Sequence, residues 1–296
     1  MTIQALPYIT LVGFFFGSTL IASRFSVGQF APSTYVGLRL TLAGLGHLAV
    51  YAVARDRFRW PKDKRVWRHA ALLGVLGTAV PMTAIVTSLQ YLSSGIASVL
   101  VTTNPALTVL MAHFLLSDER LTTRKAMGVG LALAGAAVLA LSGESGLPDV
   151  NAANPIGYIL MFIAMIAGSG MTIYARKYMN DMDAFDVASI RMVVAALAVM
   201  PLSVLWVGLD LQAVTGQGYF ALSYAALIGT FAGMLLAFYN IQRFGATAAA
   251  MTSYIVPMVA VVGGSLFLSE QITPVMLVGM ALIAAGIAIL NQRQGG

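Results

Sequence analysis

The chain has 296 residues, 59% of them apolar and 9% charged, with a mean hydropathy of +0.85 and a formal net charge of +6. A water-soluble domain carries about 25% charged residues, so this composition excludes a water-facing surface and leaves an integral membrane protein. With no cysteine, disulfide frameworks and thiolate chemistry are excluded as well.

Apolar runs near 20 residues point to membrane-crossing helices, and the alternating ten-residue segments of a barrel are missing. The first run, 6–23, has Pro7 in its first turn and offers Phe14 and Ser18. It lacks a basic leader and a convincing cleavage site, so it reads as a retained helix and not a signal peptide. The second, 33–54, carries Arg39 and His47. The connection 55–69, "RDRFRWPKDKRVWRH", mixes basic residues with Phe58, Trp60 and Trp67. Pinned between two spans, it reads as a segment lying on anionic headgroups, not as a nucleic-acid patch.

The third run, 70–89, places Thr78 and Met82 on one face. The fourth, 94–116, holds Thr102, Thr103, Asn104 and Pro105 near its middle and ends on "FLLSDERLT". The fifth, 124–142, has Gly128 and Gly135 on one face, where they permit close helix approach. A connection without Lys or Arg, 142–155, leads to the sixth run, 155–175, which contains Ser169, Met171 and Tyr174. The seventh, 186–208, carries Arg191, and the eighth, 218–240, Thr230 and Met234. The ninth, 246–268, contains Thr252, Ser253, Tyr254 and Pro257 and closes on "LFLSEQIT". The tenth, 274–291, begins at Pro274 and carries Gly279 and Gly286.

Ten spans put both termini on one side. Fourteen Lys and Arg then fall on that side and one, Arg24, on the other. Basic residues collect in the cytoplasm, so the predicted orientation is N-in, C-in.

Sliding the chain by 152 residues superimposes Arg24 on Arg176, Arg39 on Arg191, Gln90 on Gln242, Pro105 on Pro257 and Ser117 on Ser269. Gly77-Thr78 meets Gly229-Thr230, and Met82 meets Met234. Charged, amide and proline matches at one offset mark a duplication, with repeats over 1–146 and 147–296. Each repeat has five spans, an odd number, so the second enters the membrane inverted. The expected fold is all-α: ten transmembrane helices as two inverted five-helix repeats around a central cavity.

Five plus five spans, an arginine early in the second span of each half, and a proline-containing fourth span ending in "LLSDERLT" or "FLSEQIT" before a glycine-rich fifth resemble the EamA, or drug/metabolite transporter, superfamily. Within it the chain looks closest to bacterial YddG-type exporters of aromatic amino acids. The resemblance implies a central cavity lined by spans 1, 3, 4, 6, 8 and 9, with spans 5 and 10 peripheral.

Candidate residues follow. Pro105 and Pro257 each remove a backbone donor and free the carbonyls of Val101 and Ser253. Those carbonyls, with Thr103, Asn104, Ser253 and Tyr254, could hold a substrate amine while the prolines act as gating kinks. Equally, the kinks could be satisfied by local side chains. Phe14, Ser18, Thr78, Met82, Met171, Tyr174, Thr230 and Met234 make an adaptable wall for a flat substrate, with ordinary packing as the competing reading. Arg39 and Arg191 either attract a carboxylate or cap free carbonyls and snorkel.

All eleven acidic residues lie in connections or at span ends, so no membrane carboxylate is available for proton coupling and flow down the solute's own gradient is expected. His47, His69 and His113 lack metal-ligand spacing. "AGSG" at 167–170 has no later histidine to serve as base. Neither cofactor nor metal is expected. The reading is an inner-membrane, multi-pass exporter of amino acids, aromatic ones above all, whose partners are a small molecule and membrane lipid. Drug-like cations or nucleotide sugars are the alternative cargo, and an intramembrane enzyme or a receptor is the alternative class.

Overall fold

Helix starts in this chain are marked by chemistry that satisfies, or removes, orphan N–H groups. Side chains of Asp63, Ser93, Thr122, Asn154, Asp183 and Thr215 each accept a backbone N–H at a helix start. Pro32 and Pro155 lie in first turns, where a missing donor costs nothing. The computed structural model describes residues 3–54, 58–117, 119–148, 150, 153–245 and 251–291. The start of the basic connection at 55–57, Asp118, Asp149 and the first turn expected for the ninth span, 246–250, lie outside the described residues.

The described helices are α1 (Leu6–Phe25), α2 (Pro32–Val53), α3 (Lys64–Ser88), α4 (Ser94–Leu115), α5 (Thr123–Leu141), α6 (Pro155–Tyr178), α7 (Ala184–Trp206), α8 (Gly216–Phe244), α9 (Thr252–Leu268) and α10 (Pro274–Asn291). All but α9 have at least 18 residues and are apolar enough to cross a membrane. The expected ten spans are therefore present. The largest shift is at α3, which starts at Lys64 and not near 70, because the Asp63 carboxylate accepts the Arg65 N–H at 2.7 Å. The aromatic residues of the preceding connection fold onto protein: Phe58 packs on Phe185 (4.7 Å between ring centres) and Trp60 on Tyr51 (4.9 Å).

The two repeats interlock. α5 lies along α10, α2 along α7, α1 along α9, and the second part of α4 along α6. Small residues permit these approaches. A Cβ on Gly135 would lie 2.7 Å from the Gly279 carbonyl, and one on Gly128 2.9 Å from that of Gly286. The glycine faces of α5 and α10 thus meet each other.

α3 and α8 share an irregularity. Each contains a π-helical stretch, Val75–Ala79 in α3 and Ala225–Ala232 in α8. α4 is interrupted: its helix ends at Val101 and resumes at Asn104 with Pro105 in the new first turn. The hydroxyl of Thr102 donates to Val99 O (2.6 Å) and that of Thr103 to Leu100 O (2.7 Å). Local side chains therefore serve carbonyls at the break. α9 passes through Pro257 without interruption.

Candidate functional site

The site is defined by how α4 and α9 meet. At the bundle end away from the start of α1, here the far end, they are held together. Ser269 adopts the left-handed conformation (φ 54°), sparsely populated for a residue with a side chain, and ends α9. The chain reverses there, and Glu270 turns back into the helices, only 6% exposed. Its carboxylate accepts from Ser94 N (2.8 Å), Ser94 Oγ (2.8 Å) and Gly95 N (3.2 Å). A carboxylate at a helix start satisfies orphan donors and meets the positive end of the helix dipole. Gly264 leaves room for it: a Cβ there would lie 2.7 Å from Ser94 Oγ. Gln271 N donates to Gly146 O (2.9 Å), Gln271 Nε2 to Pro148 O (3.3 Å), and Ser93 N to Ser145 O (2.8 Å). The far end is sealed by these contacts, with Gly95 packed against Val261.

At the near end, where α1 starts, α4 departs from α9. Beyond its break it leans on α6: Ser169 Oγ donates to Asn104 Oδ1 (3.0 Å) and approaches Asn104 O (3.3 Å). Among the described residues, this part of α4 has no comparable packing against α9. Ion pairs at this end tie connections to the ends of α3, α5 and α6. Glu119 meets Lys125 (2.9 Å) and Arg176 (2.6 Å), and Asp181 meets Arg65 (2.7 Å). Hydrogen bonds from Arg176 and Lys125 hold the Glu119 carboxyl below its usual range.

Between the ends, the structure distributes the expected residues. Ser253, Tyr254 and Pro257 line a cavity of 160 Å³ with Thr102, Met258 and α10, so a helix expected at the periphery forms one wall of it. Ser18 shares a 2.8 Å hydrogen bond with Tyr224, while Phe14 is 48% exposed. Thr103 is buried at the α4 break, beside Asn104 and Pro105. Met82 and Met234 pack on one core shared by α2 and α7. Met171 is buried between α6 and α3, and the Tyr174 hydroxyl meets His69 Nδ1 at 2.7 Å. Thr78 and Thr230 are buried and engaged by Arg191 and Arg39. Arg39 finds two hydroxyl partners, and Arg191 a hydroxyl and, at 3.4 Å, the Gly77 carbonyl.

From the sequence, Tyr224 is passed over, His69 is weighed only as a metal ligand and Glu270 is met only as part of the repeated phrase. The signal for Glu270 was present, since it ends the repeated phrase, but its helix-capping role depends on the reversal at Ser269. Among the described residues no group of His, Cys, Asp or Glu could hold a metal ion.

The model for the EamA-like transporter family matches residues 4–141 and 155–292, once on each five-helix half. The chain belongs to this family. An uncharacterized transporter of Archaeoglobus fulgidus is 24% identical over 283 residues, spanning 95% of this chain and 96% of that protein. The inner membrane transporter YedA of Escherichia coli is 26% identical over 277 residues, spanning 93% and 86%. A "Probable terminal-alkyne amino-acid exporter" of Streptantibioticus cattleyicolor is 27% identical over 228 residues, spanning 76% and 73%. A solved structure superimposes with a TM-score of 0.64 at 21% identity, covering 95% of this chain and 94% of that one, and shows the same fold. This EamA protein is a multi-pass inner-membrane transporter.

Proposed function

We propose that the protein exports amino acids, aromatic ones included, by alternating access, with both termini in the cytoplasm and the repeats divided in the 142–155 connection. The observation that carries this reading is the inequality of the two ends: α4 and α9 are joined at the far end by Glu270 and part at the near end. A carrier caught open to one side has this form, and an inverted repeat supplies a second state that is roughly the first turned over.

The lining supports this substrate class. The cavity beside Pro257 combines an apolar wall of Met258, Leu277 and Met280 with the hydroxyls of Thr102, Ser253 and Tyr254. A pocket of this kind orients a small amphiphile through few polar groups. At 160 Å³ it is close to the roughly 150 Å³ cavity that accommodates benzene. The amino-acid exporter among the relatives points the same way. Of the candidate contacts, Ser253 and Tyr254 line this cavity; Phe14, Ser18, Thr78, Met82, Thr103, Asn104, Met171, Tyr174, Thr230 and Met234 lie outside it and would meet substrate elsewhere on the path, with Pro105 and Pro257 as bending points.

The test is uptake of labelled phenylalanine, alanine, a cationic dye and a nucleotide sugar into proteoliposomes. Phenylalanine flux that follows its gradient in either direction, without accumulation under a pH gradient alone, is expected. Flux of only the dye or the sugar would replace the substrate, and uphill movement driven by the pH gradient would overturn facilitated flow. Cysteines at Lys64 and Gln212, both exposed and on opposite sides of the bundle, test orientation. An impermeant maleimide outside intact cells should reach Gln212→Cys alone.

A further inference from the structure

Two buried arginines in a membrane protein require a reason, because a charge in hydrocarbon is expensive. Arg39 is 7% exposed, and Arg191 is partly buried. Among the described residues neither has a hydrogen-bonded carboxylate partner. Arg39 Nε donates to Thr230 Oγ1 at 2.8 Å and its Nη1 to Ser23 Oγ at 3.1 Å. Arg191 Nε donates to Thr78 Oγ1, and its Nη2 approaches Gly77 O at 3.4 Å. Each arginine thus reaches out of one repeat into the other, across 191 and 113 residues of sequence.

Both targets lie inside the π-helical stretches. Thr78 belongs to Val75–Ala79 and Thr230 to Ala225–Ala232. Such a stretch accommodates an extra residue, and π-turns are frequent at functional sites. The Thr230 hydroxyl also donates to Ala225 O, five residues back, at 2.9 Å, so one side chain joins the turn's own backbone to the arginine. The glycine before each threonine lets a neighbour close in. A Cβ on Gly77 would lie 3.0 Å from Met171 Cβ, and one on Gly229 2.8 Å from Thr19 Cβ. The arginines themselves stand on α2 and α7, which cross where a Cβ on Gly37 would lie 3.0 Å from Met200 Cα.

We propose that Arg39 and Arg191 are paired positioning residues for transport, each holding the π-turn of the opposite repeat's third helix and so fixing which side chains that helix turns toward the path. Removing one residue's worth of winding rotates everything beyond it by about 100°. A turn that relaxed to α-helix would swing Met82 and Thr83, or Met234, away from their present neighbours. The α2–α7 pair with its two arginines is then the fixed centre, and α4 and α9 move around it. The lysine substitute keeps the charge but cannot present a planar fork to two acceptors at once.

The inference concerns the conformational cycle and needs no substrate, so its failure is separable from failure of the amino-acid reading. Hydrogen–deuterium exchange on Thr230→Val should show about tenfold faster exchange within 225–232 and little change within 75–79, and Thr78→Val should show the mirror image. Thr230→Ser and Thr78→Ser, which keep the hydroxyl, should restore wild-type exchange. In a Ser145→Cys background, the rate of maleimide labelling at the sealed end should change at least threefold in each valine variant at unchanged folded yield. Arg39→Lys combined with Thr230→Val should be no more severe than the worse single variant. Exchange that rises uniformly in all helices, or serine variants that behave like valine, would reduce the arginines to structural charges and overturn the proposal. So would an unchanged labelling rate in both valine variants.

Discussion

The two ends of the bundle use carboxylates in opposite ways. At the far end Glu270 is enclosed by protein, hydrogen-bonded to the first N–H groups of α4, with Arg24 within electrostatic reach. At the near end Glu119 and Asp181 form direct ion pairs with arginine or lysine, yet they do so at the surface, Asp181 with its side chain 61% exposed and Glu119 26%. Formal charge pairing would rank the near end as stronger. Solvent reverses the ranking, because an exposed pair is worth about 0–1 kcal/mol, whereas leaving a buried donor without its acceptor costs about 1–3 kcal/mol. The seal between α4 and α9 is made where protein covers it.

The largest expected effect therefore comes from Glu270→Ala. It strands the Ser94 and Gly95 N–H groups at a buried helix start and should favour parting of the far end by about 2 kcal/mol, roughly thirtyfold in population. Labelling of a cysteine at Ser145, 4% exposed in the sealed state, would report it as a rate increase of that order. An unchanged rate would show that the seal does not depend on the carboxylate.

The prolines come next, with opposite signs. Pro105 stands at the break of α4 and Pro257 inside an unbroken α9. Pro105→Ala lets α4 straighten, disfavours the near-end opening, and should raise Ser145→Cys labelling about threefold, far below the roughly 3 kcal/mol of a proline in a helix interior because Pro105 stands in a first turn. Pro257→Ala makes the equivalent bend in α9 harder and should lower labelling by a similar factor. Equal shifts of one sign would break the two-state symmetry assumed here.

Glu119→Gln should have the smallest effect, under about 1 kcal/mol and weakened by salt. The Glu119 pKa is lowered in the folded state by Arg176 and Lys125. Its contribution is complete above the unfolded value of about 4.3 and disappears as pH falls through the lower folded value. Thermal melts at pH 7 and pH 3.5 should differ slightly more in the wild type than in Glu119→Gln.

What could be read from the sequence was what local chemistry decides. Span number, the repeat and the close-packing face of α5 follow from run length, rare polar matches and small residues on one face. The π-turns could not be read, because α3 and α8 are apolar on nearly every side around them, and an extra residue leaves no break in a pattern that has no phase. The early start of α3 was hidden by basic residues that a hydropathy window reads as loop, although Asp63 is an evident cap once the helix is known. The partners of Arg39 and Arg191 depend on how inverted halves interlock, so a single helix gives no sign of them. Thr78 and Thr230 were identified for their spacing to Met82 and Met234, yet their hydroxyls are directed to arginines.

The glycine seam between α5 and α10 has a consequence for assembly. It joins the last helix of one repeat to the last helix of the other through backbone-to-backbone approach, at Gly128–Gly286 and Gly135–Gly279. No covalent link is needed for that fit. A gene cut within 142–155 and expressed as two polypeptides should yield fragments that find each other in the bilayer and co-purify, and a bulky residue at Gly135 should abolish the pairing. The duplicated chain would then carry, within one molecule, the dimer its ancestor had to assemble from two copies.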